Sequence, residues 1–323
     1  SSCCSTSMAS RSEAAASDSP MMPDRLRGEL QPALRFAPSP TGELHIGHAL
    51  SALTTWEWAR RLGGRFLLRI EDIDTGRARD HLIEQIFEDL AWLGLDWERP
   101  VLRQSEHFAG YRAAARKLED MGLLYPCFAT RSEIRAEVER LNTQGIAVPL
   151  DPDGAPVYPG LHKGLPAAEI AARIDKGEPY ALRLDMTAAI ELAREISGQA
   201  LISYVAFDDD GRERRVIADP ARWGDAVIVR KDVPASYHLA VVVDDHRQGI
   251  THVTRGKDLE AATDLHRLLQ VLFGFEAPRY QHHRLLLDEG GVKLAKRSGS
   301  ESLRSLREKG LTPEDIRRMI TAD

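Results

Sequence analysis

Apolar residues recur at helical spacing in several stretches of the chain, and glycines and short apolar runs separate these stretches. Across residues 49–59 the apolar positions share one helical face, and Gly63 and Gly64 end the pattern. The next run, residues 65–70, is short and mostly apolar, which is typical of a buried strand. Amphipathic helices are then predicted over residues 82–93 and 106–121. Strand and helix alternate here as in a doubly wound α/β sheet.

The alternation resumes in the second half of the chain, after a stretch of different character. Residues 127–222 combine a charged helix with a Pro/Gly-rich segment and short strand-like pieces, which predicts an inserted, loop-rich module. Further on, the pattern predicts strands over residues 226–230, 239–243 and 250–254, a turn over residues 234–238, a helix over residues 259–273, and two short final helices, the second capped by Thr312 with Pro313 at its first position.

These changes in pattern give the predicted domain boundaries. The first segment is rich in Ser, Ala, Pro and Met without periodicity, which predicts a disordered tail. The segments are residues 1–32 for this tail, 33–126 for the first half of the core, 127–222 for the inserted module, 223–300 for the second half of the core, and 301–323 for a short helical C-terminus.

Composition narrows the class of protein without naming a function. Hydrophobic content of 43% and charged content of 28% describe an ordinary globular chain, and no run approaches the roughly 18 apolar residues of a membrane span. The net charge of −6 does not indicate a nucleic-acid binder, although a local basic face would suffice for one. Three cysteines cannot build a disulfide framework, so a reducing cytoplasm is expected.

The most informative stretch is residues 35–48, where a short apolar entry meets a Pro/Ser/Gly turn and then a helix start. A helix N-terminus presents free N–H groups and positive potential, which suits an anionic phosphate. His45 and His48 lie three residues apart in the first turn and add donors on one side. On these letters alone, a plain helix cap with two surface histidines is an equally good interpretation.

Two charged stretches are further candidates for the site. Residues 71–74 read Glu-Asp-Ile-Asp directly after a predicted strand, where carboxylates point into the ligand crevice of an α/β sheet. Residues 292–300 carry three cations among small residues and predict a mobile loop. The alternatives are a solvated acidic turn for the first stretch and a solvated basic turn for the second.

Four motifs then occur in a fixed order along residues 34–300. They are P-S-P-T-G-x-L-H-I-G-H at 38–48, R-I-E-D at 69–72, Y-H-L-A-x-V-V-D-D at 237–245 and K-L-A-K-R at 293–297. Together they resemble the class I aminoacyl-tRNA synthetases of the glutamyl/glutaminyl branch. In that family the first is the HIGH motif and the last is the KMSKS-type motif, whose middle Ser is Ala295 here. The resemblance implies a Rossmann-type nucleotide-binding core with an inserted acceptor-binding-like α+β module.

The resemblance also implies a reaction and a set of residues. The reaction is activation of L-glutamate by ATP, with Mg²⁺ as counter-ion of the phosphates. The implied catalytic residues are His45, His48, Lys293 and Lys296, with His45, Gly47, His48 and Lys296 on ATP; those implied for glutamate are Arg35, Phe36, Ala37, Pro38, Ser39, Glu71, Tyr237 and Arg255. By charge, Arg35 and Arg255 suit carboxylates and Glu71 suits the ammonium group.

One family feature is degenerate in this sequence. Members often hold zinc in the insertion through C-x-C and Y-x₃-C, whereas this chain has Cys127-Phe128-Ala129 and then Tyr158 with His162. Zinc takes about four well-placed N or S ligands. Cys127, Tyr158 and His162 form an incomplete set, so the sequence predicts an insertion without zinc.

The acceptor of the glutamate is the last expectation. Residues 297–323 are too few for an anticodon-binding domain, which needs at least about 50 residues. The chain therefore resembles the shorter glutamyl-queuosine tRNA(Asp) synthetases, which activate glutamate without tRNA and transfer it to queuosine in the anticodon loop of tRNA(Asp). Charging of a tRNA 3′ end and a non-catalytic tRNA-binding paralogue stay open as alternatives. The expected protein is a monomer without membrane contact.

Overall fold

The computed structural model describes residues 31–286 and 301–321, and its compact unit begins at Pro32. The strands are β1 (Ala33–Phe36), β2 (Arg65–Ile70), β3 (Glu98–Arg103), β4 (Leu124–Cys127), β5 (Ala181–Leu184), β6 (Ser203–Phe207), β7 (Glu213–Ile217), β8 (Val227–Val229), β9 (His252–Gly256) and β10 (Arg279–His283). The helices are α1 (Ile46–Arg61), α2 (Asp80–Trp92), α3 (Phe108–Asp120), α4 (Arg131–Thr143), α5 (Ala167–Asp175), α6 (Met186–Ser197), α7 (Tyr237–Arg247), α8 (Ala262–Phe273), α9 (Leu303–Glu308) and α10 (Pro313–Thr321). No helix in this part of the chain is both long enough and apolar enough to cross a membrane.

The strands form three sheets, two of which build the floor of the site. β1, β2 and β3 pair in parallel in that order. The second sheet has the order β7-β6-β10-β9, with β10 parallel to both β6 and β9 and β7 antiparallel at the edge. A hydrogen bond of 2.9 Å from the Thr251 backbone N–H to the Ala33 carbonyl joins β1 to the residue before β9. The predicted α/β class is confirmed.

The predicted boundary at residue 222 is crossed by strand pairing. β6 and β7 were assigned to the insertion, yet they extend the sheet of β9 and β10. Conversely, β8 was assigned to the core, yet it pairs antiparallel with β5 in a third sheet of order β4-β5-β8. The hydrophobic pattern indicates which residues are buried but not which strands pair, so composition alone cannot place this boundary.

The start and the stop of α1 fix the turn that precedes it. The helix begins directly after His45, as predicted, and ends at Arg61. Gly63 then takes φ of 60°, a left-handed conformation that glycine adopts without steric cost. At Gly64 a side chain would collide with the carbonyl oxygen of Pro32, so only glycine lets the chain return this closely to the start of β1.

The segment 237–247 corrects one prediction. The sequence predicted a turn and then a buried strand over residues 239–243, but the structure has helix α7. Ser236 caps this helix by accepting from the Leu239 backbone N–H at 3.3 Å. A short apolar run that is buried on all sides lacks the periodicity that separates helix from strand. The correction matters because helical spacing places Tyr237 and Asp245, eight residues apart, on one face.

The two predicted C-terminal helices are confirmed, and they pack on the first half of the core. Leu303 and Ile316 are completely buried, and the Leu303 backbone N–H donates to the Leu44 carbonyl at 2.8 Å. Thr312 caps α10 by accepting from the Asp315 backbone N–H at 3.2 Å. The start of α9 therefore lies beside the turn that leads into α1.

Candidate active site

A cavity of about 660 Å³ lies where β1, β2, β9 and β10 end and α1 begins. This is the crevice at the carboxyl ends of strands in which α/β proteins bind ligands. Its lining contains every residue that the sequence suggested for glutamate and for the helix start, namely Arg35, Phe36, Ala37, Pro38, Ser39, His45, Gly47, His48, Glu71, Tyr237 and Arg255. Lys293, Ala295 and Lys296 of the predicted loop lie outside the described residues.

The two histidines at the start of α1 act as its cap and share one hydrogen-bonding pattern. The Nδ1 atom of His45 accepts from the Gly47 backbone N–H, and the Nδ1 atom of His48 accepts from the His45 backbone N–H, both at 3.1 Å. An imidazole nitrogen that accepts an N–H bond carries no proton, so the remaining proton of each ring is on Nε2. Both rings lie next to the positive end of the helix.

A buried ion-pair network lies beside the cavity and includes two of its lining residues, Arg35 and Glu71. Asp245 accepts from Arg35 Nε at 2.9 Å and from Arg69 NH1 at 2.7 Å, and Arg69 NH2 donates to Glu71 at 3.1 Å. Arg69 is fully buried, and Arg35 and Asp245 are 5% exposed or less. The sequence did not suggest roles for Arg69 or Asp245, because their importance depends on packing between β2 and α7.

The same network involves Arg35 and Glu71, two of the residues predicted to bind glutamate. Both line the cavity as predicted, but Arg35 already has a carboxylate partner in Asp245, and Glu71 already has a cationic partner in Arg69. Burial by itself would raise the pKa of Asp245, but the two guanidinium groups hold it below its ordinary value. Burial dominates at Glu71 and raises its pKa in spite of Arg69 and Arg35.

Arg255 lies on β9 and has partners of a different kind. Its guanidinium donates to the Thr263 hydroxyl at 2.7 Å and to His266 Nδ1 at 3.2 Å, with longer contacts of 3.5 Å to the Tyr237 hydroxyl and to His282. All four partners are uncharged when the histidines are neutral. Within the described residues Arg255 forms no ion pair.

The other predicted carboxylates lie away from the cavity. Asp72 accepts from the Ser105 backbone N–H at 2.8 Å, and Asp74 pairs with Arg77 at 2.9 Å. Of the acidic stretch after β2, Glu71 lines the cavity, whereas the other two carboxylates stabilise turns. The lining also includes Thr254, Asp258 and His283, which no motif indicated.

A family model described as "tRNA synthetases class I (E and Q), catalytic domain" matches residues 33–322. The chain belongs to this family. It is therefore an enzyme of the synthetase type with a class I catalytic domain, and membership implies ATP as a substrate.

Three relatives illustrate how this synthetase is placed within the family. A protein of Rhodobacter capsulatus named Glutamyl-Q tRNA(Asp) synthetase is 43% identical over 88% of this chain and 98% of its own length. A Glutamate–tRNA ligase of Coprothermobacter proteolyticus is 35% identical over 87% of this chain and 56% of its own. The crystal structure of the glutamate-tRNA synthetase from Elizabethkingia anophelis is 28% identical, has a TM-score of 0.71, and covers 90% of this chain. This chain spans 61% of the length of that solved protein.

The degenerate zinc positions of this synthetase come together as a hydrogen-bonded cluster. Cys127 Sγ donates to the Tyr158 hydroxyl at 3.3 Å, and that hydroxyl also accepts from the His162 backbone N–H at 2.8 Å. His162 Nδ1 accepts from the backbone N–H groups of Phe128 and Ala129, both at 3.0 Å. In the part of the chain that the structure describes, no group of three or more His, Cys, Asp or Glu side chains could hold a metal ion.

Because hydrogen bonds join these elements, we expect metal removal to leave the insertion intact. Dialysis against EDTA should not change the thermal unfolding midpoint, and elemental analysis should find well under one zinc per chain. Replacing His162 by alanine leaves two backbone N–H groups without an acceptor and should cost about 1–2 kcal/mol of unfolding free energy. One tightly held zinc per chain would contradict this expectation.

The pH dependence of stability can be tested at His252, a partly buried residue of β9 outside the cavity. Burial, together with Arg279, lowers the pKa of His252 to about 4, whereas in the unfolded chain it titrates near 6.5. As the pH falls from about 6.5 to 4, the unfolded state therefore takes up the proton first, and folding stability is lost. We expect the wild type to lose stability relative to His252→Asn across this window, measured by urea unfolding, with a constant difference above pH 7. If the stability difference between the two proteins stays constant down to pH 4, the lowered pKa of His252 is contradicted.

Proposed function

We propose that this synthetase activates L-glutamate with ATP and transfers the glutamyl group to the queuosine base of tRNA(Asp). One observation carries the first half of the proposal. A single cavity joins the capped start of α1, which suits phosphate, to Arg255, which forms no ion pair within the described residues. The name of the 43%-identical relative from Rhodobacter capsulatus supports the second half.

In the activation step a carboxylate oxygen of glutamate attacks the α-phosphorus of ATP, and pyrophosphate leaves. The protein supplies position and charge for this in-line displacement, and it supplies no nucleophile. His45 and His48, which line the cavity at the start of α1, would contact phosphate oxygens. Lys293 and Lys296 would close over the leaving pyrophosphate, as in the family motif that they match.

Glutamate carries two carboxylates and one ammonium group, and the cavity suits this pattern of charge. Arg255 would hold a carboxylate through NH2, which donates only one of its two hydrogens to Thr263. Glu71 would face the ammonium group, and Ser39 and Tyr237 would add hydroxyl donors. Arg35 would contribute through its NH1 amino group, since Nε and NH2 are bonded to Asp245.

Mg²⁺ would accompany the phosphates in this reaction. The carboxylates of the described lining are Glu71 and Asp258, and Glu71 is paired with Arg69. Magnesium usually keeps several waters and binds through one or two carboxylates together with substrate phosphates, so this donor set fits an ion held chiefly by ATP. Bound there, the ion would neutralise charge on the phosphates.

In the transfer step a hydroxyl of the queuosine cyclopentene-diol attacks the acyl carbon of the adenylate. An ester forms, AMP leaves, and the hydroxyl proton passes to a phosphate oxygen or to solvent. Because the adenylate is already activated, this step also needs no protein nucleophile.

Labelled glutamate distinguishes this acceptor from the 3′ end of a tRNA. The enzyme is incubated with ATP and either queuosine-containing tRNA(Asp) or tRNA(Glu), and both tRNAs are also prepared with a 2′,3′-dideoxyadenosine end. We expect label on tRNA(Asp) that survives the dideoxy end and disappears when queuosine is absent. Label on tRNA(Glu) alone, lost with the dideoxy end, would instead support a synthetase that charges 3′ ends without an anticodon check.

A further inference from the structure

Three arginines are buried in or beside the cavity, Arg35 and Arg255 in its lining and Arg69 next to it, and they differ in the partners they contact. Arg35 and Arg69 share Asp245, and Arg69 also holds Glu71, so two cations face two carboxylates. Arg255 is equally buried, with 4% exposure, but its described partners are hydroxyls and imidazoles. A buried arginine normally has an anionic partner. The neutral residues that position Arg255 are therefore candidates for a functional role.

Hydrogen-bond chemistry fixes the protons of the imidazoles behind Arg255. A guanidinium group can only donate, so His266 Nδ1, 3.2 Å from Arg255 NH1, must be an acceptor. The remaining proton of His266 is then on Nε2, which lies 3.1 Å from His238 Nδ1 and donates to it. The chain of donors runs in one direction, from Arg255 through His266 to His238, and requires both rings to be neutral.

The surroundings favour these neutral rings. Burial, followed by the positive charge of Arg255, lowers the pKa of His238 to about 4 and that of His266 well below its ordinary value. His266 is 1% exposed and does not line the cavity, so it contacts Arg255 without contacting a ligand there. An aspartate or glutamate in its place would form a buried ion pair with Arg255 and compete with an anionic ligand.

We propose that His266 is a positioning residue that holds Arg255 without neutralising it, and that it thereby gives the site its preference for an acidic amino acid over the corresponding amide. The inference rests on the proposed function and adds a specificity-determining residue to it. The side-chain carboxylate of glutamate forms a charge-assisted hydrogen bond with Arg255, whereas the neutral amide of glutamine gains less from the same cation. Discrimination between the two amino acids therefore depends on the charge that His266 does not neutralise.

Three substitutions of His266 distinguish an effect on the placement of Arg255 from an effect on its charge. Asparagine carries its carbonyl oxygen where imidazole has Nδ1, whereas the longer glutamine side chain reaches toward the position of Nε2. The kinetic assay is ATP–pyrophosphate exchange, with KM and kcat measured separately for glutamate and glutamine. We expect His266→Asn to stay within about 3-fold of the wild-type KM for glutamate, His266→Gln to raise that KM about 10-fold or more, and His266→Asp to raise it about 100-fold or more.

The ratio of glutamate to glutamine use is the readout that a merely structural role would not change. His266→Asp should lower this ratio by at least about 10-fold, because it removes the charge that glutamate uses. His252→Asn is the matched control, since this partly buried imidazole contacts Phe207 and Thr251. It should leave both the KM for glutamate and the ratio unchanged.

The outcomes separate this inference from the proposed function. If the wild type exchanges no pyrophosphate with any amino acid, the proposed function fails. If the wild type uses glutamate but all three His266 variants keep its KM and its ratio, the inference alone is overturned. If His266→Asp does not fold, as judged by its thermal unfolding, the Asn/Gln pair decides: equal KM values for the two variants would overturn the inference.

Discussion

Replacing Asp245 by asparagine is expected to lower the unfolding free energy by about 3–5 kcal/mol, the usual cost of removing one partner from a buried ion pair. Asparagine keeps the shape and one acceptor oxygen, but it leaves Arg35 and Arg69 buried with one fewer negative charge between them. The same change should raise the KM for glutamate, because Arg35 loses its carboxylate partner, as does Arg69, which bonds to Glu71. Urea unfolding and pyrophosphate exchange measure the two effects.

The control for this experiment is Glu98→Gln, which breaks the pair of Glu98 with Arg65. Both side chains of that pair are more than a third exposed, so water and salt screen the charges. Its loss should cost no more than about 1 kcal/mol. If Asp245→Asn costs as little as Glu98→Gln, then Asp245 does not act as the shared counter-ion of the site.

Replacing Arg255 by lysine should reduce kcat/KM for glutamate by roughly 30- to 1000-fold, which corresponds to about 2–4 kcal/mol. Lysine keeps the positive charge but has no planar fork, so it cannot contact Thr263, His266 and a carboxylate in the same arrangement. Most of the effect should appear in KM for glutamate, with KM for ATP changed little, since the phosphates are expected at the start of α1.

Arg279→Lys provides the matched control on the neighbouring strand. Arg279 pairs with Glu213, and both side chains are about half exposed. This substitution should leave kcat/KM for glutamate within about 2-fold, as for other exposed ion pairs. A change of less than about 3-fold in Arg255→Lys would mean that Arg255 does not hold the amino acid.

The part of the site that local sequence specifies could be predicted. The turn and helix start at residues 35–48 are contiguous, and their Pro, Gly and His residues have local effects on the backbone. Glu71 follows a strand with a clear apolar pattern, so its position at the end of β2 was also predictable. The structure brings both stretches to one cavity.

The part that depends on tertiary packing could not be predicted. α7 was predicted as a strand, and on a strand the adjacent Asp244 and Asp245 would point to opposite faces. In the helix, Asp245 contacts Arg35 and Arg69, while Asp244 accepts from Gln104 and Tyr111. None of these contacts can be predicted from the spacing of apolar residues.

Strand β10 was missed for a related reason. Its sequence, Arg-Tyr-Gln-His-His, has no apolar pattern, although the strand lies between β6 and β9. Its polar side chains are used at the site: His282 contacts Arg255, and His283 Nε2 lies 3.1 Å from the Ser51 hydroxyl. A strand that carries functional polar residues loses the alternation by which strands are recognised.

The most direct test is glutamate-dependent exchange of labelled pyrophosphate into ATP, measured with the full chain in the absence of any tRNA. We predict exchange that saturates with glutamate and is at least about 100-fold weaker with glutamine at equal concentration. Absence of exchange at every glutamate concentration would contradict an activating enzyme and would favour a non-catalytic tRNA-binding paralogue.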